Sequence, residues 1–184
     1  MPENKNRVCP VSRASGLESR LRKLLHNPKR VLGKYLEQGM SALDFGCGPG
    51  LFSIEMAKIV GSRGKVFAVD LQQGMLDKVS AKVKGTELDS IIKLHKCSET
   101  SIGLKEKVDF ALAFYVVHEV PNQTKFFAEI KALLKANARL LVVEPKFHVS
   151  KKEFEETVRK AKAVGFKEIK SPKIFFSRPV LLGL

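Results

Sequence analysis

From Met40 onward the chain alternates short apolar runs with longer amphipathic ones, and this alternation narrows the fold more than any other feature. Residues 40–45 (MSALDF) make a short apolar run that closes on glycines, the pattern of a buried strand. Residues 51–61 (LFSIEMAKIVG) space their apolar side chains for one helix face and stop at Gly61. Strand patterns recur at 65–70, 91–95, 108–117 and 139–144, and helical patterns at 75–85, 122–135 and 151–165. Beyond Gly165 the tail reads as two strands around Ser171-Pro172 with no helix between them.

Strands separated by helices imply right-handed crossovers and a parallel sheet buried on both faces. The expected fold is therefore α/β: a Rossmann-like three-layer α/β/α sandwich on a mainly parallel seven-stranded sheet, with an antiparallel C-terminal edge hairpin. Ahead of it, Val11–Gln38 is basic and places Leu17, Leu21, Leu24 and Leu25 at helical spacing until Asn27-Pro28 interrupts. That predicts two short helices, the second near Lys29–Glu37. The expected division is a basic helical cap, 1–38, and a main domain, 39–184.

At 184 residues there is room for one ordinary domain. The net charge of +14 sits on its flanks: residues 1–37 and 146–184 carry +6 each, and the middle only +2. Such flanks suit nucleic acid, an anionic membrane surface or an acidic substrate. A solvated lysine surface is the preferred reading, because aromatic residues are not interleaved with the basic ones along the chain. The longest apolar runs are too short to span a bilayer, and the N-terminus lacks the apolar core of a signal peptide. Cys9, Cys47 and Cys97, an odd set without a CxxC pair, fit free thiols in a reducing cytoplasm, and no metal-ligand set is visible.

The strongest chemical signal is LDFGCGPG, residues 43–50, at the junction of the first strand and first helix. An open parallel sheet binds nucleotide-like ligands there. Gly46, Gly48 and Gly50 allow close backbone approach and dihedrals closed to other residues. Their spacing is GxGxG, not the GxGxxG of dinucleotide sites. Asp44 lies two residues ahead, and Asp70 ends the second strand, where a carboxylate can accept from both hydroxyls of a ribose. A tight turn and a strand-end cap are the plain alternatives for the glycines and Asp70.

In these motifs the sequence resembles the class I S-adenosylmethionine-dependent methyltransferases, from about Met40 to the C-terminus. LDFGCGPG resembles the family's first motif, VFAVDLQQGML its second, VDFALAFYVVHEV its fourth-strand motif and LLKANARLLVVEP its fifth-strand region. The resemblance implies S-adenosyl-L-methionine as cofactor and S-adenosyl-L-homocysteine as product. It implies that Asp44, Gly46, Cys47 and Gly48 line the methionine part, with Gly50 closing the loop. Asp70 would hold the ribose, and Leu71 and Met75 would border the adenine. Where the family often has an acid after the third strand, HKCSET leaves Ser98 or Glu99. Where it commonly has Lys-Pro-Gly-Gly, this chain has Lys135-Ala136-Asn137-Ala138.

Methyl transfer from a sulfonium needs alignment above all, and a base only when the acceptor carries a proton. His118, at the end of the fourth strand, is the candidate base, since histidine titrates near neutrality; the alternative is a histidine that merely packs there. The position resembles the His-Asp pair of small-molecule O-methyltransferases, with Glu119 following. Tyr115 is a further catalytic candidate and Phe114 a cofactor-binding one. Strand alternation allows only one of the two to face the pocket. Glu144-Pro145 is read as an acceptor-site wall or, equally, a plain strand-end turn, and His26 and His148 as surface residues. The resulting expectation is a methyltransferase acting on a small molecule. An RNA methyltransferase using the basic flanks and a non-catalytic cofactor-binding module are the alternatives.

Overall fold

The computed structural model describes residues 26–184. The expected first helix and most of the expected cap lie outside them. Described elements begin with α1 (Pro28–Leu32), followed by β1 (Ser41–Phe45), α2 (Leu51–Val60), β2 (Lys65–Asp70), α3 (Gln73–Val83), α4 (Leu88–Ile91) and β3 (Ile92–Lys96). The second half holds β4 (Val108–Phe114), a 3₁₀ turn (Val117–Glu119), α5 (Gln123–Leu133), β5 (Leu134–Pro145), α6 (Lys151–Ala163), β6 (Lys167–Lys170) and β7 (Ser177–Gly183).

One seven-stranded sheet runs in the order β3-β2-β1-β4-β5-β7-β6. The pairings from β3 through β5 are parallel, while β7 runs antiparallel to both β5 and β6. The α/β expectation holds, hairpin included. Alternation along each strand divides the core in two. On one face Leu43, Val69, Ala113 and Val142 meet Phe126, Phe127 and Ile130 of α5 and Ala161 of α6. On the other, Ala42, Ala68, Leu112 and Val143 meet Leu32, Phe52, Met56, Leu76 and Val79 of α1–α3. Both faces are closed, as a parallel sheet demands.

Three local departures have physical causes. The helix expected to reach Glu37 ends at Leu32, where the Gly33 N–H caps back onto the Lys29 carbonyl. Leu32 and Leu36 still reach the core, and Tyr35 stacks on Phe110 at 5.6 Å. The strand expected to reach Val117 stops at Phe114, because Tyr115 takes a left-handed φ of 62°. The fifth strand starts five residues early, at Leu134. Its extra residues form an irregularity against β4, with Val108 opposite Leu134 and Phe110 opposite Arg139, and Asn137 at φ 65°.

Candidate active site

Outward from β1 the strand order is β2, β3 on one side and β4, β5 on the other. The connections leave β1 in opposite directions, which opens a crevice at the carboxyl ends of β1 and β4. The glycine loop lies at this crevice. Gly46, Gly48 and Gly50 all have positive φ (69°, 52° and 88°), which a side chain rarely tolerates. A Cβ on Gly46 would also stand 2.5 Å from Val116 Cγ2, so the loop after β1 packs directly on the turn after β4. Gly50 starts α2 in the left-handed conformation, and the first-turn N–H groups of that ten-residue helix point back toward the loop.

Two buried acids organise this half. The Asp70 Oδ2 accepts from the Gly48 N–H and Oδ1 from the Gln72 N–H, both at 2.9 Å, so one carboxylate straps the loop to the end of β2. Burial raises its pKa, and these N–H groups pull the other way. Asp44, 2% exposed, accepts from Ser53 Oγ at 2.5 Å. Burial pushes Asp44 up to about 7, the Ser53 hydrogen bond opposing and the Asp70 charge assisting. Cys47 is buried, and its thiol lies well above its ordinary range, from burial first and then the two acids; it is no thiolate nucleophile.

The other donor-side candidates spread around this loop. Leu71 is half-buried against the α5 face, and Met75 is fully buried in the first turn of α3. Ser98 is exposed and engaged in its own turn, its Oγ accepting from the Ser101 N–H at 3.0 Å.

Across the crevice, His118 Nδ1 meets Glu144 Oε2 at 2.6 Å, and the His118 backbone N–H donates to Glu144 Oε1 at 3.0 Å. Glu144, 1% exposed at the end of β5, fixes both the ring and its turn. Because a carboxylate accepts, Nδ1 carries the proton and Nε2 keeps its lone pair. Burial lowers the His118 pKa, but the Glu144 hydrogen bond and charge, with Glu119 and Glu153 behind, leave it raised overall. The sequence placed Glu119 next to His118; the fold supplies Glu144, 26 residues on, instead.

Phe114 and Tyr115 overturn the expectation that they face opposite sides. Their rings lie 4.5 Å apart in the same cluster, since the left-handed Tyr115 ends the strand alternation. Phe114 packs on Phe52 at 4.4 Å. The Tyr115 hydroxyl lies 2.6 Å from Ser177 Oγ and 3.0 Å from His26 Nε2, which is itself 3.1 Å from the Phe175 carbonyl. A carbonyl only accepts, so His26 Nε2 carries a proton and Tyr115 donates to Ser177. His26 is thus a buried histidine, 6% exposed, not the expected surface one, because its ring closes the edge of the Phe114–Tyr115 cluster. His148 is exposed as expected and stands edge-on to His118 at 4.9 Å.

A methyltransferase domain family matches residues 36–172, most of the chain. The chain belongs to this methyltransferase family. A demethylmenaquinone methyltransferase of Lactobacillus johnsonii is 29% identical over 110 residues, 59% of this chain and 45% of that protein. A ribosomal protein L11 methyltransferase of Dictyoglomus thermophilum is 30% identical over 131 residues, 68% of this chain and 40% of that one. The methyltransferase domain therefore spans less than half the length of these curated relatives. The crystal structure of a SAM dependent methyltransferase from Aquifex aeolicus superposes with a TM-score of 0.85 at 27% identity, covering 95% of this chain and 98% of that one.

S-adenosylmethionine is the cofactor of this methyltransferase class, and the site chemistry fits it. A carboxylate offers about four lone-pair positions; the backbone N–H groups of Gly48, Gln72 and Leu71 bear on Asp70, and it keeps capacity to accept from a ribose hydroxyl. Three side-chain-free positions in five residues leave the loop backbone bare for the rest. Among the described residues there is no group of three or more metal-ligating side chains, and no helix is long and apolar enough to cross a membrane.

Proposed function

We propose that this domain methylates a small-molecule acceptor that must lose a proton as it attacks, a hydroxyl or an acidic carbon, with His118 as the base. The single observation that carries this reading is the His118–Glu144 pair beside the glycine loop: a raised, carboxylate-oriented imidazole whose Nε2 is left to accept. S-adenosylmethionine, when bound, supplies an electrophilic methyl group on a sulfonium. Asp70 would hold its ribose, and Asp44, Gly46, Cys47, Gly48 and Gly50 would surround its amino-acid end. Leu71, Met75 and Ser98 would border its adenine, and Phe114 and Tyr115 would wall the crevice. Glu144 keeps Nδ1 protonated and the ring fixed, so that Nε2 takes the acceptor's proton while the new bond forms.

Transfer of a labelled methyl group to a panel of phenolic, enolic and amine acceptors tests this, with His118→Ala beside the wild type. The expected result is transfer to a proton-bearing oxygen or carbon, reduced about 10²–10⁴-fold in His118→Ala. Equal rates in the two proteins would contradict the role of His118; transfer to amines alone would contradict the acceptor class.

A further inference from the structure

The β5–α6 and β6–β7 connections meet at the carboxyl end of the sheet, where the Lys146 N–H donates to the Phe176 carbonyl at 3.1 Å. Three phenylalanines stand out of this junction: Phe147 is 80% exposed, Phe175 55% and Phe176 60%. Phe176 holds a left-handed φ of 50°, a conformation a bulky residue adopts only where its surroundings impose it. The hydrogen bonds of the Phe175 carbonyl to His26 and Ser177 anchor the segment from beneath. The tips are thus apolar projections on a fixed base. Beside them runs a groove of about 1200 Å³, walled among the described residues by Arg30, Lys34, Lys146, Lys170 and Lys173 and by no carboxylate. Basic and aromatic residues, not interleaved along the chain, come together in the fold as cations beside rings.

We infer that this face docks on an anionic phospholipid bilayer, the three phenylalanines entering the interface while the groove cations meet lipid phosphates. Apolar tips ringed by lysine and arginine complement an anionic headgroup layer over hydrocarbon, and neither feature alone holds a protein there. Single-stranded nucleic acid fits less well, because it stacks on ring faces presented to successive bases. Phe175 and Phe176 pack edge-to-face at 78°, so their faces do not form one continuous stacking platform, whereas insertion into hydrocarbon sets no ring orientation.

Co-flotation of the full chain with vesicles tests this without reference to methyl transfer. Vesicles of phosphatidylglycerol and phosphatidylcholine are compared with phosphatidylcholine alone, and with poly(U) as competitor. The expected result is binding to the anionic vesicles only, weakening with salt. It falls about tenfold or more in Phe147→Ser/Phe175→Ser/Phe176→Ser, and similarly in Lys146→Glu/Lys173→Glu, whose exposed positions keep the fold whatever the triple variant does. Absence of flotation, or flotation unchanged in Lys146→Glu/Lys173→Glu, would overturn the inference. So would displacement by poly(U) together with Phe-dependent poly(U) binding, which would make the face a nucleic-acid site.

Discussion

The crevice is built by two halves of the sheet in different ways. On the β1–β2 side the parts are close in sequence: the glycine loop follows its strand, Ser53 reaches Asp44 nine residues back, and Asp70 reaches Gly48 across 22. Most contacts there run from backbone N–H to carboxylate. On the β4–β5–β7 side, side chain meets side chain over long separations: His118 to Glu144 across 26 residues, Tyr115 to Ser177 across 62, His26 to Tyr115 across 89. Backbone held by glycine and a fixed carboxylate suits a ligand that never changes. Titratable side chains on converging loops suit acceptor chemistry, which varies between enzymes on one scaffold.

The largest effect is expected at Gly46, where the two halves touch. Gly46→Ala places a Cβ against Val116 at a φ of 69°, and should destabilise the fold by about 2–4 kcal/mol and remove donor binding, read by thermal unfolding and calorimetry. Glu144→Gln should leave donor affinity intact but slow methyl transfer about 10–100-fold. Its pH profile carries the sharper signal. His118 must be neutral to act, and its pKa is raised against burial by the Glu144 hydrogen bond and charge, so the wild-type rate climbs with pH through a value above the ordinary histidine range. Without the Glu144 charge, burial dominates and that limb moves to lower pH.

Asp44 gives a prediction confined to the other half. Its folded pKa of about 7 exceeds the unfolded value, so the folded state holds the proton more tightly. In the ligand-free protein this group makes stability fall as pH rises from about 4 toward 7. Asp44→Asn should remove that decline and raise ligand-free stability at pH 8 by about 1–3 kcal/mol, while weakening donor binding. The smallest effect belongs to Tyr115→Phe. It loses the hydrogen bond to Ser177 and should cost about 1 kcal/mol of stability, changing the transfer rate only a few-fold.

What was legible in the sequence follows the same division. The strand–helix alternation carried the topology because burial on both faces of a parallel sheet leaves apolar runs no other use. The glycine loop and Asp70 were legible because their partners lie within a single βαβ unit. Strand and helix ends were read less well where one backbone angle decided them, as at Tyr115 and at the irregularity around Asn137. Glu144 was visible as a strand-end acid but not as the partner of His118, since pairing across β4 and β5 is a matter of register and not of spacing. His26 looked like a surface residue in a basic stretch. Only the packing of its ring on Phe114 and Tyr115, beside Ser177 of β7, gives it a buried place.

Calorimetric titration of wild type, Asp70→Ala and His118→Ala with S-adenosylmethionine and S-adenosylhomocysteine reads donor recognition itself. Both ligands should bind saturably, about 10–100-fold more weakly in Asp70→Ala, which removes a charged acceptor for the ribose together with the strap on the glycine loop, and with unchanged affinity in His118→Ala. A folded wild-type protein that binds neither ligand would contradict that expectation. So would an Asp70→Ala protein that binds as tightly as the wild type.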